Sequence, residues 1–476
     1  MSVTRIFQIT LLAWIVAVGS GARILALFPY IGKSHFVVFE PYVKELATRG
    51  HQVVVVSHFP QKNPIKNLKD ISLVGSQDID ATDRLNLTTM SGLEYLNTAV
   101  KELTNLVTSC NKTLSFYTVQ NLIDSREKFD VVIAEMFTTD CIIPLAHKFK
   151  APLIGISSCA TFPWIDYKIG NPHNPSFVPN LFTSFSDNMN FFERLINTVC
   201  EVLFSTIYSL TEGLVTQNYV NHHFRDEMPL LSELAKNTSL ILVNTHFTLN
   251  RPRPLLPGMV EVGGLYLKPP KLLPKDLDDF LNGAEHGVIY FNMGSMIRAE
   301  TLPPEKRDAF LQAFAEFPQR VLWKWEGDTL PGQPKNVKIV KWLPQFDVLS
   351  HPNVYIYLGH GGLMGTIEAM YAGVPMIGIP FFGDQGMNIA AIESANAGLQ
   401  LEYADINKES VLRAIKTLLE EPSYRKNAKR MSQIFKDRPH SAMDTAIYWT
   451  EYVIRHNGAP HLRSAALDLS WYQYYC

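Results

Sequence analysis

The chain has 476 residues, of which 46% are hydrophobic and 18% charged, with a formal net charge of −2. That length and composition suit two or three globular domains with sizeable cores. The near-neutral balance, without long like-charge runs or low-complexity tracts, removes the electrostatic case for nucleic acid.

The first residues, Met1 to Arg5, carry one positive charge, and Ile6 to Val18 is almost wholly apolar. Small residues follow, Gly19-Ser20-Gly21-Ala22. This predicts a secretory signal peptide over residues 1–21. The apolar run is shorter than the roughly 20 residues that a bilayer requires. Three acceptor patterns for N-glycosylation agree with that route: Asn86-Leu-Thr88, Asn111-Lys-Thr113 and Asn237-Thr-Ser239. The cysteines, Cys110, Cys141, Cys159, Cys200 and Cys476, are too scattered for a disulfide scaffold. No Cys/His cluster has metal-ligand spacing, so no metal site is expected.

From residue 23 the chain alternates strands and helices. "RILALFPY" reads as a strand, Phe36 to Arg49 as a helix, and "HQVVVVS" as a strand. "FDVVIAE", a helix over Cys141 to Lys150, and "APLIGIS" repeat the pattern. Continuous apolar strands separated by helices imply a parallel sheet covered on both faces. The segment from Phe162 to Pro257 differs, being rich in Phe, Pro and Asn, with an apolar helical run from Phe191 to Val215. It reads equally as core packing or as an apolar wall for a lipophilic ligand. After "LILVNT", the proline-rich "NRPRPLLPG" and "KPPKLLPK" resist regular structure and read as a linker.

The alternation then restarts. "GVIYFNMGS", "RVLWKW", "NVKIV", "NVYIYL" and "VPMIGIP" read as strands. Pro304 to Phe317, Leu363 to Tyr371, Met387 to Ala397 and Lys408 to Glu420 read as helices. Ligands of such sheets sit at the carboxyl ends of the strands. Those ends are Gly294-Ser295, Trp342 to Gln345, Gly359 to Gly362 and Phe381 to Gln385.

The third of these ends is a glycine loop, "YLGHGGLMGTIEA", which opens a helix. A helix N-terminus has unpaired N–H groups and a positive dipole end, and it favours anions. The dinucleotide pattern would need glycine where Met364 stands, and no Lys-Ser or Lys-Thr follows as in a P-loop. Taken alone, the loop is as readily a tight turn as a phosphate site.

The run from Trp342 to Gln385, "WLPQFDVLSHP" followed by "HGGLMGTIEAMYAGVPMIGIPFFGDQ", resembles the donor-site signature of the animal UDP-glycosyltransferase family. The likeness extends to "GHQVVVVS", "FDVVIAEMFTTDC", "PRPLLPGMVEVGGL" and "GAPHLRSAALDL", almost the whole chain. It implies the GT-B fold, two Rossmann-like α/β domains with doubly wound parallel sheets facing across a cleft. The domains would be 22–245 for the acceptor, 246–274 as linker, 275–435 for the UDP-sugar, and 436–476 as a C-terminal helix and tail.

The resemblance also implies roles. Trp342 would stack on uracil, Gln345 would bond the base or ribose, and Glu368 would bind the ribose hydroxyls. His360 and the N–H groups around Gly361, Gly362, Met364 and Gly365 would hold the phosphates, with Ser295 helping. His360 would add a donor, or a positive charge, to the helix end. Asp384 and Gln385 would hold sugar hydroxyls. Gly359, Met364 and Asn292 depart from common family residues.

The family places its catalytic base at His35, with a carboxylate to orient it. Glu135 and Asp140 are both candidates, and Asp140 is favoured here because a short aspartate at the start of a helix has fixed geometry. The expected reaction is inverting transfer of a sugar, with UDP-glucose preferred over UDP-glucuronate because no cation stands beside Asp384-Gln385. The acceptor would be a small lipophilic hydroxyl compound, and no cofactor or metal is implied. A non-catalytic UDP-sugar-binding subunit is the alternative class.

Family members are luminal proteins of the endoplasmic reticulum, anchored by a C-terminal spanning helix. Arg455 to Cys476 holds no such run, so the expected form is luminal, with peripheral membrane contact through parts of 162–215. Homo-oligomer formation is left open.

Overall fold

The computed structural model describes residues 21–77, 87, 108–225 and 227–475. The signal segment, Asn86 and Cys476 lie outside these residues.

Two parallel sheets organise the chain. In the first, β1 (Arg23–Phe28), β2 (Gln52–Ser57), β3 (Leu68–Ser72), β4 (Val131–Glu135), β5 (Leu153–Ser157), β6 (Thr238–Val243) and β7 (Met259–Glu261) stand in the order β3-β2-β1-β4-β5-β6-β7. The second has six strands: β8 (Val288–Asn292), β9 (Arg320–Lys324), β10 (Val337–Val340), β11 (Val354–Gly359), β12 (Met376–Gly378) and β13 (Gly398–Gln400). Their order is β10-β9-β8-β11-β12-β13. The apolar runs read as strands are buried on both faces: every residue of Val131–Glu135 and of Val288–Asn292 is buried. Such strands need helices on both sides, and this gives the three-layer form of each domain.

Six helices matter for the argument. They are α1 (Lys33–Thr48), α2 (Phe191–Thr211), α3 (Gln345–Leu349), α4 (Leu363–Ala372), α5 (Gln385–Ser394) and α6 (Ala442–Arg455).

Three features differ from expectation. The span expected as linker contains β7, which pairs with β6 through Ile241 and Met259. The short "MVE" is hidden among prolines, and its pairing partner completes it as an edge strand. The C-terminal helix α6 is no loose tail. It returns to the first domain, where the Tyr42 hydroxyl meets that of Thr450 at 2.5 Å and Arg49 pairs with Asp444 at 2.6 Å. Finally, although no scaffold exists, Cys110 and Cys141 are joined in a disulfide.

The apolar run from Phe191 has an inverted polarity. Asn190 starts α2 with a capping box: its side chain accepts from the N–H groups of Phe192 and Glu193, and Glu193 returns a bond to the Asn190 N–H. Phe192, Leu195, Val199, Val202, Leu203 and Leu210 then face solvent, Phe192 at 70% exposure. The buried residues of the same helix are Asn197 and Glu201. The face turned to the protein is mixed: Asn197 bonds the carbonyls of Pro175 and Val178, Glu201 accepts from Asn180, and Phe204 and Tyr208 pack on Phe182 and Trp164. Contiguous exposed apolar surface of this kind marks an interaction face.

Candidate active site

His35 lies in the first turn of α1, where its N–H bonds back to the Gly32 carbonyl at 3.1 Å. The adjacent strands β1, β4 and β5 end side by side, with Leu27 opposite Ala134 and Glu135 opposite Ile156. That alignment brings Glu135, the last residue of β4, to His35: Oε1 is 2.6 Å from Nδ1. Ser158, just past β5, puts its hydroxyl 2.8 Å from the same nitrogen. The rings of Tyr30 and Phe137 flank the imidazole at 4.4 and 4.5 Å.

Asp140 is not the partner of His35, which corrects the preference drawn from sequence. Its carboxylate pairs with Lys168, and its backbone N–H donates to Glu212 at 2.9 Å. The residue lies past the end of β4 and turns toward the buried polar side of the helical segment after α2. Burial first, and then the charge of Asp140, pushes the Glu212 carboxyl up to about 8. Strand adjacency, rather than side-chain length or a position at the start of a helix, selects the acid that meets His35. Residues 141–143 are turn, and the following helix starts only at Pro144.

The other predicted residues line the carboxyl ends of the second sheet. The Gln345 amide donates to Glu368 at 2.7 Å, and its oxygen accepts from Asn292 at 2.6 Å. Asn292 also accepts from the Gly294 N–H at 2.8 Å, so this departure from the family braces the loop. Burial pushes the Glu368 carboxyl up to about 7. Trp342 stands 66% exposed, and the Lys33 ammonium of the first domain lies 5.7 Å from its ring centroid. Ser295 is exposed beside the glycine loop.

His360 packs between two glycines. A Cβ on Gly294 or Gly362 would come within 2.5 or 2.4 Å of the imidazole. Burial, then the nearby Lys324, holds the ring down at about 4, so at neutral pH it is uncharged. Its buried Nδ1 has no partner among the described residues. The nearby positive charge belongs to Lys324, a residue missed in the sequence because it ends a strand. This buried ammonium bonds the Gly294 carbonyl at 2.7 Å and Glu326 at 2.7 Å.

Gly362 caps α4 without a side-chain bond, leaving the first N–H groups of the helix open to an anion. Gly361 adopts φ +83, and a Cβ there would meet Ile389 at 2.7 Å. A Cβ at Gly359 or Gly365 would press on the Tyr357 hydroxyl at 2.6 or 2.7 Å. The Met364 carbonyl accepts from Tyr266 at 3.1 Å, tying the loop to the first domain.

Asp384 precedes α5 without bonding its first N–H groups. Burial raises its carboxyl, while a bond to the Asn388 side chain and, after it, His35 across the cleft act to lower it. The Gln385 oxygen is committed to the N–H groups of Phe381 and Phe382 at 2.8 and 3.3 Å, so only its amide nitrogen remains for a sugar hydroxyl. Arg251 and Arg253 line an interdomain cavity with Asp187, Met387 and Asn388, and the buried Arg253 Nε has no partner among the described residues.

Two facing parallel-sheet domains, with a His–carboxylate pair on one wall and an uncapped, glycine-led helix end on the other, define a GT-B glycosyltransferase. The chain belongs to the family described as "UDP-glucoronosyl and UDP-glucosyl transferase", whose model matches residues 25–476. It is 42% identical to the UDP-glycosyltransferase UGT5 of Dactylopius coccus, over 98% of this chain and 90% of that one. Rat UDP-glucuronosyltransferase 2B1 is 33% identical, over 93% and 86%. Among solved structures, a UDP-glucose:anthocyanidin 3-O-glucosyltransferase in complex with UDP superposes with a TM-score of 0.59 at 18% identity. That match covers 92% of this chain and 99% of the other. The glycosyltransferase VinC in complex with dTDP gives 0.62 at 16% identity, over 91% and 100%. The protein is accordingly a UDP-dependent glycosyltransferase.

Proposed function

We propose that the enzyme transfers glucose from UDP-glucose to a hydroxyl of a small lipophilic acceptor in a single inverting displacement. The observation that carries the reading is the 2.6 Å contact between His35 and Glu135. Ionised Glu135 accepts the Nδ1 proton, which leaves the Nε2 lone pair as a general base. Nε2 takes the acceptor hydroxyl proton as that oxygen attacks the anomeric carbon. The bond from that carbon to the β-phosphate oxygen breaks, and UDP leaves with the electron pair. The α4 N-terminus and His360 bear the developing diphosphate charge. Trp342 stacks on uracil, Gln345 and Glu368 hold the nucleoside, and Asp384 and the Gln385 nitrogen hold the sugar. The aromatic walls formed by Tyr30, Phe137 and Phe162 suit an apolar acceptor.

Turnover with phenolic acceptors and both donors tests this. His35→Ala should lose about 10²-fold or more in kcat while still binding UDP, and near-normal turnover would sink the mechanism. UDP-glucuronate is the second reading of the donor, favoured by the unpaired Arg253 Nε at the cleft. If Arg253→Leu abolishes use of UDP-glucuronate and spares UDP-glucose, the carboxylate is recognised there.

Residence in the lumen of the endoplasmic reticulum is part of the same proposal. Its support is the Cys110–Cys141 disulfide, which suits an oxidising compartment, and the exposed Asn237 acceptor. Asn111 is less suited to carry a glycan, because its side chain bonds His223 at 2.7 Å. No described helix is long and apolar enough to cross a membrane. Peripheral contact would use the apolar face of α2. Flotation with neutral phospholipid vesicles tests it: Leu203→Glu with Leu210→Glu should abolish binding, and unchanged flotation would refute the contact.

A further inference from the structure

We propose that Ser158 is a positioning residue for the transfer, holding the His35 imidazole jointly with Glu135. The inference rests on His35 as the base.

Ser158 is buried, with its hydroxyl 2.8 Å from His35 Nδ1. Its backbone has little freedom. The Asn244 side chain donates to the Ser158 carbonyl at 2.8 Å, and the same side chain accepts from the Gly264 N–H at 2.9 Å. A chain of contacts from the fully buried Asn244 therefore sets where the hydroxyl stands. The neighbouring Ser157 is turned elsewhere, donating to the Cys159 carbonyl at 3.0 Å.

Nδ1 carries at most one proton, and two oxygens lie within hydrogen-bond distance of it. An ionised Glu135 can only accept. With the proton on Nδ1 and Glu135 accepting from it, the Ser158 oxygen is a second acceptor for the same N–H, and its own hydrogen turns to the Cys159 sulfur. Two acceptors on one N–H restrain the ring about its bond to Cβ more than a single acceptor does. When Nε2 takes the proton from the substrate, the ring becomes a cation, and bonds to a charged donor strengthen. Ser158 thus favours the protonated ring formed in transfer. The ionisable groups around the ring are Glu135 at the end of β4, Tyr30 beyond β1, Cys159 beyond β5, Lys33 on its own helix, and Asp384 across the cleft.

The test is steady-state kinetics of full-length Ser158→Ala and Ser158→Thr across pH, with UDP titrated by calorimetry. Ser158→Ala should lower kcat roughly 10-fold, the effect expected of one charge-assisted bond. It should leave the donor KM and UDP affinity within about twofold of wild type, on the same grounds. The acid limb of the kcat profile should move to lower pH, and Ser158→Thr should restore rate and profile. In a His35→Ala background, Ser158→Ala should have no further effect. An unmoved profile with kcat near wild type overturns the proposal, as does a loss of kcat matched by an equal loss of UDP affinity. Near-normal turnover of His35→Ala alone would instead overturn the assignment of the base, which separates the two failures.

Discussion

The pairing of His35 is decided by exchanging each acid for its amide. Glu135→Gln keeps the shape of the side chain but removes its charge, and it places an NH2 donor within reach of Nδ1. The ring then favours the tautomer with its proton on Nε2, the nitrogen that must be bare to act as base. From the contact at 2.6 Å between groups buried together, the loss in kcat should be about 10²- to 10⁴-fold, as for the acid of a catalytic triad. Asp140→Asn acts elsewhere. It removes the partner of buried Lys168, a change of the order of 3 kcal/mol in stability. It does not touch the base. Initial-rate measurements on purified, folded enzyme, with melting followed in parallel, separate the two. Glu135→Gln should melt near wild type and turn over poorly; Asp140→Asn should melt lower and turn over well. A folded Asp140→Asn that is inactive, beside an active Glu135→Gln, would refute the reasoning.

Three further outcomes follow from the site and its supports. The Glu368 carboxyl, raised to about 7 by burial, must be ionised to accept from ribose, so UDP affinity should rise between pH 6 and 8 (a range of about one unit either side). Because a raised acid stabilises the fold only while protonated, the free enzyme should lose stability as pH rises from the unfolded value near 4.5 through about 7, and Glu368→Gln should flatten both trends. Burial disfavours charge on His173, but Asp166 and Glu201 outweigh it and raise the ring to about 9. That stability is complete below the unfolded value near pH 6.5 and lost as pH rises through about 9; melting curves of wild type and His173→Gln should converge above that pH. Trp342→Ala should weaken UDP by about 1–3 kcal/mol, the worth of one base on an aromatic ring, and equal calorimetric affinities would displace the nucleotide from Trp342.

Much of the fold was legible because its strands are continuous apolar runs. The helix Lys408–Glu420 has the bounds read from the sequence, and the structure shows Asn407 and Ser410 capping its start. Strand order was not legible. Glu135 meets His35 because β4 lies next to β1 in space, and nothing in the local pattern around "EMFTTDC" conveys that. The periodicity of α2 revealed an apolar face, but not that this face points outward, since that depends on the buried polar contacts of Asn197 and Glu201. The grouping of Gln345 with Glu368 was suggested by the family resemblance, and the two side chains do meet at 2.7 Å. The neutral state of His360 was not legible, because it arises from burial against Gly294 and Gly362 and from Lys324, contributed by another strand. Ser158 was invisible for the same reason: its neighbours come from β4 and α1, far away in the chain.

The most direct test of the account is the anomeric configuration of the product. A sugar α-linked to UDP should emerge β-linked to the acceptor oxygen if one displacement occurs, with His35 as base and no covalent enzyme intermediate. The proton NMR spectrum of the purified glycoside made by wild-type enzyme reports this through the coupling of the anomeric proton. A large diaxial coupling, the mark of a β-glycoside, is the predicted result. A small coupling, showing that the α-configuration is retained, would contradict the mechanism with either UDP-glucose or UDP-glucuronate as donor, whatever the acceptor.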